Sequence, residues 1–328
     1  MILAGDLGGT KADLGLFDLQ GGRLHEVVGR RFQTNEYPDL ISLVRAFLAE
    51  RAETPERAVL GVPGPVLRGQ ARATNLSWEL DAPALESALG IPRVVLVNDL
   101  VATSAGLLDL PEDRFERLYA GAPHAHGTRA VLAPGTGLGQ AFLVWDGNRY
   151  HPLPSEGGHA DFAPRNELEL RLLAYWLERQ PRVSYEHLLA GPGIDRIYEF
   201  LRSEGAVPES PELARRLAAA EDRNAVIGAA GAASTDPLAV ATLRLWASLL
   251  GAEAGNLALR TLALGGVYLA GGIVAKLLPL LREAPFRDAY LAKGRLGEFV
   301  AKIPVAVLLD DRAALRGAAH IALHEEGL

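Results

Sequence analysis

The most informative segment near the start of the chain reads Ile2-Leu3-Ala4-Gly5-Asp6-Leu7-Gly8-Gly9-Thr10, and Ala12 to Phe17 follows it. Apolar residues on both sides of a run of small ones predict a strand, a tight turn and a second strand. Glycines let a backbone approach a phosphate closely, and successive N–H groups in such a turn can bind an anion. Asp6 could hold Mg²⁺ through water. A plain hairpin turn with no ligand is the alternative interpretation.

The same layout returns near residue 130. Ala130 to Ala133 leads into Pro134-Gly135-Thr136-Gly137-Leu138-Gly139, and Ala141 to Trp145 follows. Two such hairpins suggest an internal duplication, although two unrelated hairpins would give the same pattern. A third glycine turn, Ala270-Gly271-Gly272, lies between a predicted strand and a predicted helix, where a nucleotide base or ribose could pack. No lysine follows a glycine, so the Gly-Lys phosphate loop is excluded.

Composition narrows the class of protein. The 328 residues are 49% hydrophobic and 22% charged, which is typical of a globular chain, and the length favours two domains. The net charge of −7 argues against nucleic acid or an anionic membrane as a partner. The absence of cysteine excludes disulfides, zinc–thiolate sites and thiol nucleophiles, and it fits a cytoplasmic protein. We expect no secretory signal, because the N-terminus has no basic region and reaches an acid at Asp6. We expect no membrane span, because the most apolar stretch, 261–275, is too short.

Strand and helix signals alternate along the chain, which predicts mixed α/β sheets covered by helices. Strands are predicted at 58–62, 93–97, 266–270 and 303–309. Helices are predicted at 82–89, 100–108, 167–179, 185–189, 194–203, 211–220, 238–262 (as one helix or two), 273–281 and 314–324.

Two polar clusters stand out from this pattern. Asn98-Asp99 follows an apolar strand, where a carboxylate would point into the crevice in which α/β proteins bind ligands; Asp99 could instead cap the next helix. The run from Ser155 to Phe162 places Glu156, His159 and Asp161 around two glycines, which is typical of a polar ligand site. A hydrogen-bonded structural histidine is the alternative, and metal ligation is the least favoured. Glu186 alone would be interpreted as a surface helix residue.

Together these motifs resemble the sugar kinases of the hexokinase–actin–Hsp70 ATPase superfamily, and within it the bacterial glucokinases, over essentially the whole chain. The resemblance rests on the segments 5–10, 74–78, 98–99, 156–164, 189–193 and 270–274. It implies an α/β, two-domain actin-like ATPase (ribonuclease H-like) fold with mixed sheets and an inter-domain cleft. Residues 1–109 plus 310–328 would form the small domain, and residues 110–309 the large one.

The resemblance also implies the activity, which is transfer of the ATP γ-phosphoryl group to the 6-hydroxyl of D-glucose. Asp99 would be the catalytic base. The hexose would be bound by Asn75, Asn98, Asp99, Glu156, His159 and Glu186. ATP would be bound by Gly5, Asp6, Leu7, Gly8, Gly9, Thr10, Gly135, Thr136, Gly137, Gly271 and Gly272, with Asp6 holding Mg²⁺ through water. The lack of cysteine points to the zinc-free branch, in contrast to related ROK kinases, and the family expectation is a homodimer.

Three alternatives use the same fold. A hexose kinase of broader specificity would share every motif above. A sugar-responsive repressor would need an added DNA-binding module of about 60–80 residues, for which the sequence before Gly5 leaves no room. An actin-like ATPase without a sugar would not need the run Glu156-Gly157-Gly158-His159 or the pair Asn98-Asp99.

Overall fold

A computed structural model of the chain describes residues 1–49, 54–72 and 78–324. The chain forms two compact units. Unit 1 comprises Met1–Arg114, Ala141–Pro154 and Asp310–Leu328, and unit 2 comprises Phe115–Gln140 and Ser155–Leu309. Both units combine strands with helices, which confirms the mixed α/β class predicted from the sequence.

The regular elements before residue 115 are β1 (Ile2–Leu7), β2 (Lys11–Gln20), β3 (Arg23–Gln33), α1 (Leu40–Leu48), β4 (Arg57–Val62), β5 (Val66–Leu67), β6 (Gln70–Arg72), β7 (Glu79–Asp81), α2 (Ala82–Leu89), β8 (Arg93–Asn98) and α3 (Asp99–Gly106).

The remaining elements are β9 (Phe115–Tyr119), β10 (Arg129–Pro134), β11 (Leu138–Trp145), β12 (Tyr150–Ser155), α4 (Glu167–Leu177), α5 (Tyr185–Leu189), α6 (Gly193–Glu204), α7 (Pro211–Ala218), α8 (Arg223–Ala232), α9 (Pro237–Thr261), β13 (Gly266–Leu269), α10 (Gly272–Lys276), α11 (Leu278–Leu281), α12 (Ala284–Leu291), α13 (Gly297–Val300), β14 (Val305–Leu308) and α14 (Ala313–Leu323).

Unit 1 is organised around a five-stranded sheet in the order β3-β2-β1-β4-β8. Strands β1, β4 and β8 run parallel, and the hairpins to β2 and β3 are antiparallel. Successive side chains of a strand point to opposite faces, so Leu3 and Leu60 pack in one apolar core while Ala4 and Val59 pack in the other. Helices α3 and α14 cover this second face.

Helices α3 and α14 touch through their backbones. A Cβ atom on Gly317 would lie 1.7 Å from the carbonyl oxygen of Ala102, and one on Gly106 would lie 2.1 Å from that of Ala313. Any side chain at either glycine would force the helices apart. The two helices therefore form a tightly packed pair, and α3 begins at Asp99.

The second main sheet has six strands in the order β12-β11-β10-β13-β14-β9, with β10, β13 and β14 parallel. The longest helix, α9, has most of its side chains buried, including the fully buried Trp246. The alternative of two helices over 238–262 is thereby resolved as one. In the part of the chain that the structure describes, no single helix meets the length and apolarity needed to cross a membrane. Only α8 and α9, bent by 97°, do so as a pair.

Some predicted elements match the structure, and others do not. The helices at 82–89 and 185–189 are confirmed to the residue. The single helix predicted over 273–281 is wrong, because the chain forms α10 and α11 with a break at Leu277, next to Pro279. Proline lacks the N–H group that a continuous helix would use. Strand β3 and helix α8 were not anticipated.

Candidate active site

The carboxyl ends of three parallel strands meet at one edge of the five-stranded sheet. In the β1–β4 ladder Asp6 is opposite Gly61, and in the β4–β8 ladder Val62 is opposite Asn98. Strand pairing therefore brings Asp6 to the same edge as Asn98 and Asp99, which are more than 90 positions away in the sequence. This is the edge at which α/β proteins bind ligands.

Gly61 allows α3 to approach this edge. A Cβ atom there would lie 3.3 Å from the Cβ of Ala102, 3.4 Å from the carbonyl oxygen of Gly5 and 3.7 Å from the Cα of Asp99. Gly61 was not among the predicted site residues, although a glycine inside an apolar strand often marks close approach of another backbone.

The carboxyl group of Asp6 lies in an unfavourable environment for a negative charge. Burial raises the pKa of Asp6 to about 7, and the nearby charges of Asp99 and Asp13 add to this, while Arg31 opposes it. Carboxylates held together in this way favour either a shared proton or a bound cation. The electrostatics therefore fit the predicted Mg²⁺ site at Asp6.

The same carboxyl group is flanked by an ion pair that the sequence analysis missed. Arg31 binds Asp13 with both Nε and Nη2, at 2.8 to 3.1 Å, and its Nη2 also lies 3.3 Å from Asp311. Asp13 is only 8% exposed although it belongs to the apolar strand β2. A charged residue inside an apolar run was the available signal, and the partner Arg31 could be found only from the pairing of β2 with β3.

The first glycine turn is closed by a short backbone bond. The N–H of Gly8 donates to the carbonyl of Lys11 at 2.8 Å, and the buried Thr34 donates its hydroxyl to the carbonyl of Gly9. Gly5 serves packing, because a Cβ there would lie 2.6 Å from Cδ2 of Leu60. The turn itself therefore consists of Gly8, Gly9 and Thr10, with Leu7 at the end of β1.

Asn98 and Asp99 have different positions at the start of α3. Asn98 is the N-cap, since its Oδ1 accepts hydrogen bonds from the backbone N–H groups of Leu100 and Val101, and its Nδ2 donates to Gly64. Asp99 is the first helical residue, and its Oδ1 accepts from Leu100 at 2.9 Å. The alternative interpretation of Asp99 as the helix cap is therefore wrong, because Asn98 makes those bonds.

In unit 2, the second glycine turn is linked to Glu186. Within the turn Gly135 donates to the carbonyl of Gly137 at 2.8 Å. Glu186 accepts a hydrogen bond from the backbone N–H of Leu138 at 2.9 Å, and a Cβ on Gly137 would lie 2.8 Å from its Oε2. The interpretation of Glu186 as a surface helix residue is therefore wrong, because its side chain is hydrogen-bonded to the second glycine turn.

Glu186 also joins the turn to the histidine motif. Its Oε1 lies 3.5 Å from Nδ1 of His159, whose Nε2 lies 4.0 Å from Oε2 of Glu156. The side chains of Glu156 and His159 are more than half exposed, whereas that of Glu186 is 30% exposed. Three predicted hexose ligands therefore lie together, with polar atoms available to a ligand.

The glycines of this motif are required by packing. A Cβ on Gly158 would lie 1.9 Å from the carbonyl oxygen of Leu138, and one on Gly157 would lie 2.2 Å from Oε1 of Gln140. The short helical turn 157–159 therefore lies directly against the start of β11. This close approach puts His159 beside the second glycine turn.

The third glycine turn is adjacent to the second one. Strand β13 pairs in parallel with β10, and Ala270 donates to the carbonyl of Leu132 at 3.0 Å. Gly271 has a φ of 98°, which favours glycine, and a Cβ on it would lie 2.6 Å from the carbonyl oxygen of Pro134. Gly272 begins α10 and has open space around it. The predicted hexose ligand Asn75 lies outside the described residues.

Within residues 1–49, 54–72 and 78–324, no cluster of three or more histidine, aspartate or glutamate side chains has the geometry to hold a metal ion. Mg²⁺ usually keeps several waters and takes one or two carboxylates together with substrate phosphates. Asp6 fits that mode of binding, in which the protein supplies few direct ligands.

Comparison with known proteins decides the family. A sequence profile of the glucokinase family matches residues 3–325. This chain belongs to the glucokinase family. A glucokinase of Nostoc sp. is 42% identical over 334 residues, which cover 97% of this chain and 98% of that protein.

Two solved structures share the fold of this chain. A glucokinase from an Antarctic psychrotroph matches with a TM-score of 0.86 at 29% identity, covering 99% of each chain. A ROK family glucokinase from Streptomyces griseus, solved with glucose and AMPPNP, matches with a TM-score of 0.66 at 22% identity, covering 98% of this chain and 99% of that one. The predicted two-domain actin-like ATPase fold of the glucokinase family is thereby confirmed.

Proposed function

We propose that this chain phosphorylates D-glucose at its 6-hydroxyl, with ATP as the phosphoryl donor. Membership of the glucokinase family supports the reaction. The observation that carries the proposal is the position of Glu186, which binds the second glycine turn at Leu138 and also faces His159. One carboxylate thus connects a phosphate-type turn with the cluster proposed to bind the sugar.

The hexose hydroxyls are bound by Glu156, His159 and Glu186 in unit 2. Carboxylates accept hydrogen bonds from hydroxyls, and an imidazole both donates and accepts, so this cluster suits a polyhydroxylated ligand. Asn98 and Asn75 are assigned to the same sugar. For Asn98 the hydrogen bonds to α3 and Gly64 leave one N–H of its amide for a hydroxyl.

Asp99 accepts the proton of the 6-hydroxyl as the oxygen attacks the γ-phosphorus in line. Phosphoryl transfer requires little covalent work from the protein, so positioning and charge stabilisation provide most of the rate. Asp99 is held at the first position of α3, where its backbone is fixed by the helix and its neighbour Asn98 provides the cap. The proposal assigns the proton transfer to its carboxylate.

ATP is bound in unit 1 by Gly5 to Thr10, of which Gly8 to Thr10 form the first glycine turn, and in unit 2 by Gly135 to Gly137 with Gly271 and Gly272. Mg²⁺, held by Asp6 through water, neutralises charge on the phosphates when bound. The glucose and AMPPNP in the Streptomyces griseus glucokinase support this pairing of ligands. Zinc has no part in this proposal, because the chain lacks cysteine. The proposal also includes a cytoplasmic location and a homodimeric state for the protein.

The division of the chain into residues 1–109 with 310–328 and residues 110–309 is part of the proposal. The first part carries Asp6, the proposed base Asp99 and the hexose ligands Asn75 and Asn98. The second part carries Glu156, His159 and Glu186 together with the second and third glycine turns.

The test is ADP formation by the purified protein with ATP and Mg²⁺, over a panel of glucose, mannose, glucosamine, fructose and no sugar. We expect turnover to depend on glucose, and phosphorus NMR of the product to show a 6-phosphate monoester. Similar rates with several hexoses would indicate the broader hexose kinase. ATP hydrolysis that sugar does not change would contradict the proposal and favour an actin-like ATPase.

A further inference from the structure

A cavity of about 540 Å³ lies within unit 1, away from the sheet edge that carries Asp6 and Asp99. Its apolar wall includes Leu19, Leu24 and Leu323, and its polar wall includes Arg316, His320 and Asp109. Leu19 is 53% exposed, so part of this apolar surface is open. A volume of this size accommodates a six-membered ring with a substituent.

The polar wall carries more positive than negative groups. Arg23, Arg316, His320 and His324 line the cavity, and the carboxylate among its lining residues is Asp109. That carboxylate is already engaged, because its Oδ2 lies 2.6 Å from Nδ1 of His320. The rings of His320 and His324 are 4.7 Å apart. Burial lowers the pKa of His324, and the neighbouring His320 adds to this. Among the described residues that line the cavity, no second carboxylate balances the charges of Arg23 and Arg316.

Arg316 is the decisive residue. Its Nε is buried and has no hydrogen-bond partner, and its guanidinium makes no ion pair with any residue that the structure describes. A buried N–H group of a charged side chain costs free energy when it has no hydrogen-bond partner. The N–H groups of a guanidinium lie in one plane and can donate two parallel hydrogen bonds to an oxyanion. Because Arg316 lines the cavity, an anion bound there would pair with its guanidinium.

We propose that this cavity binds a small phosphate monoester whose organic part is a ring or another compact apolar group. The phosphate would accept hydrogen bonds from Arg316 and be attracted by Arg23, and the organic part would pack on the leucines. A dianion matches two arginine charges better than a carboxylate does, which favours phosphate as the anionic group.

Binding here is expected to stabilise the fold. Arg316 and His320 belong to α14, whose backbone touches that of α3 through Gly317 and Gly106. A ligand that holds α14 therefore stabilises the helix pair of unit 1, and any ligand that binds the folded state alone raises the Tm.

The experiment measures binding of phenyl phosphate to the full chain by calorimetry, with the Tm as a second reading. Arg316→Gln should weaken the binding of phenyl phosphate in this cavity about tenfold or more, since a hydrogen bond to a charged group is lost. Arg45→Gln is the matched control, because Arg45 is in the same unit and its Nη2 donates to Ala88 on the surface. Arg23→Gln, at an exposed position, is the second variant should Arg316→Gln fail to fold.

Each outcome bears on the proposal. Phenyl phosphate that binds wild type and the Arg45→Gln variant alike, and the Arg316→Gln or Arg23→Gln variant more weakly, supports it. Benzoate bound as tightly as phenyl phosphate would overturn the choice of phosphate. Equal binding by all variants, or no binding by wild type, would overturn the site. Glucose phosphorylation, measured separately, tests the catalytic proposal independently.

Discussion

Replacing Asp99 by asparagine separates its chemical role from its structural one. Asparagine has nearly the same shape as aspartate but cannot accept a proton at the pH of the reaction. The substitution leaves the N-cap of α3 in place, because the cap is Asn98, whose hydrogen bonds from the N–H groups of Leu100 and Val101 remain. The backbone N–H of Leu100 also donates to Oδ1 of Asp99, and the side-chain oxygen of asparagine can accept that hydrogen bond.

We expect kcat to fall by roughly 10²–10⁴-fold in the Asp99→Asn variant, the usual contribution of a positioned proton acceptor. Stability should change little, because two effects oppose each other. The loss of a negative charge at the helix N-terminus costs about 0.3–1 kcal/mol. The same loss relieves repulsion with Asp6, whose raised pKa Asp99 helps to cause.

Asp39→Asn is the matched control. Asp39 is the N-cap of α1 in the same unit, and its carboxylate accepts from Ser42 at 2.7 Å. Asparagine caps about as well as aspartate, so both kcat and the Tm should remain close to those of wild type. This control shows what the same chemical change does at a helix start outside the site.

The measurements are kcat from initial rates at saturating glucose and ATP, the Tm, and glucose affinity from tryptophan fluorescence. We expect the Asp99→Asn variant to fold and to bind ATP, with glucose affinity only moderately weaker. A folded variant that keeps more than about a tenth of wild-type kcat would refute the assignment of Asp99 as the base.

Three further predictions test other parts of the site. His159→Ala should raise the KM for glucose about tenfold or more and leave that for ATP within about twofold, because one hydrogen bond to the sugar is lost; equal effects on both substrates would contradict this. The pKa of Asp6 is raised to about 7, so the folded state keeps a proton that the unfolded chain has lost above its ordinary pKa of 3.8. The Tm of ligand-free wild type minus the Tm of Asp6→Asn should therefore fall as pH rises from about 4 to 7. A difference in Tm that stays constant over this pH range would count against the raised pKa. Gly158→Ala should destabilise the fold by roughly 1–3 kcal/mol or more, since its Cβ would lie 1.9 Å from the carbonyl oxygen of Leu138. Gly228→Ala is the control and should not destabilise the fold, because Gly228 has open space around it. Equal denaturation midpoints for the two variants would show that the turn 157–159 can move.

The sequence was sufficient for the local parts of this molecule. Helix α2 lies between Asp81, whose side chain caps it, and Gly90, whose φ of 68° ends it, and the sequence predicted both bounds. Strand β3 was missed because its side chains are mostly exposed, so no continuous apolar run marks it. Helix α8 was missed because its alanines and glycines carry little periodic signal.

Some assignments depended on contacts between distant segments. From the sequence alone, Asp99 could be the cap of the next helix, and Glu186 was interpreted as a surface residue. The structure gives the cap to Asn98, and it gives Glu186 a bond to Leu138, which is 48 positions earlier. Hydrogen-bond partners of this kind follow from how strands and helices pack, which residue types alone do not specify.

The sequence by itself determined the alternation of strands and helices, the three glycine turns, and the absence of any thiol chemistry. These properties depend on residue types and on spacings of a few positions, which local sterics and hydrogen bonding control. Only the tertiary structure decided that Asp6 shares a sheet edge with Asp99, that Arg31 pairs with Asp13, and that Arg316 has a buried Nε without a partner. The physical reason is that electrostatic energy and desolvation depend on distances through space, and strand pairing and helix packing set those distances.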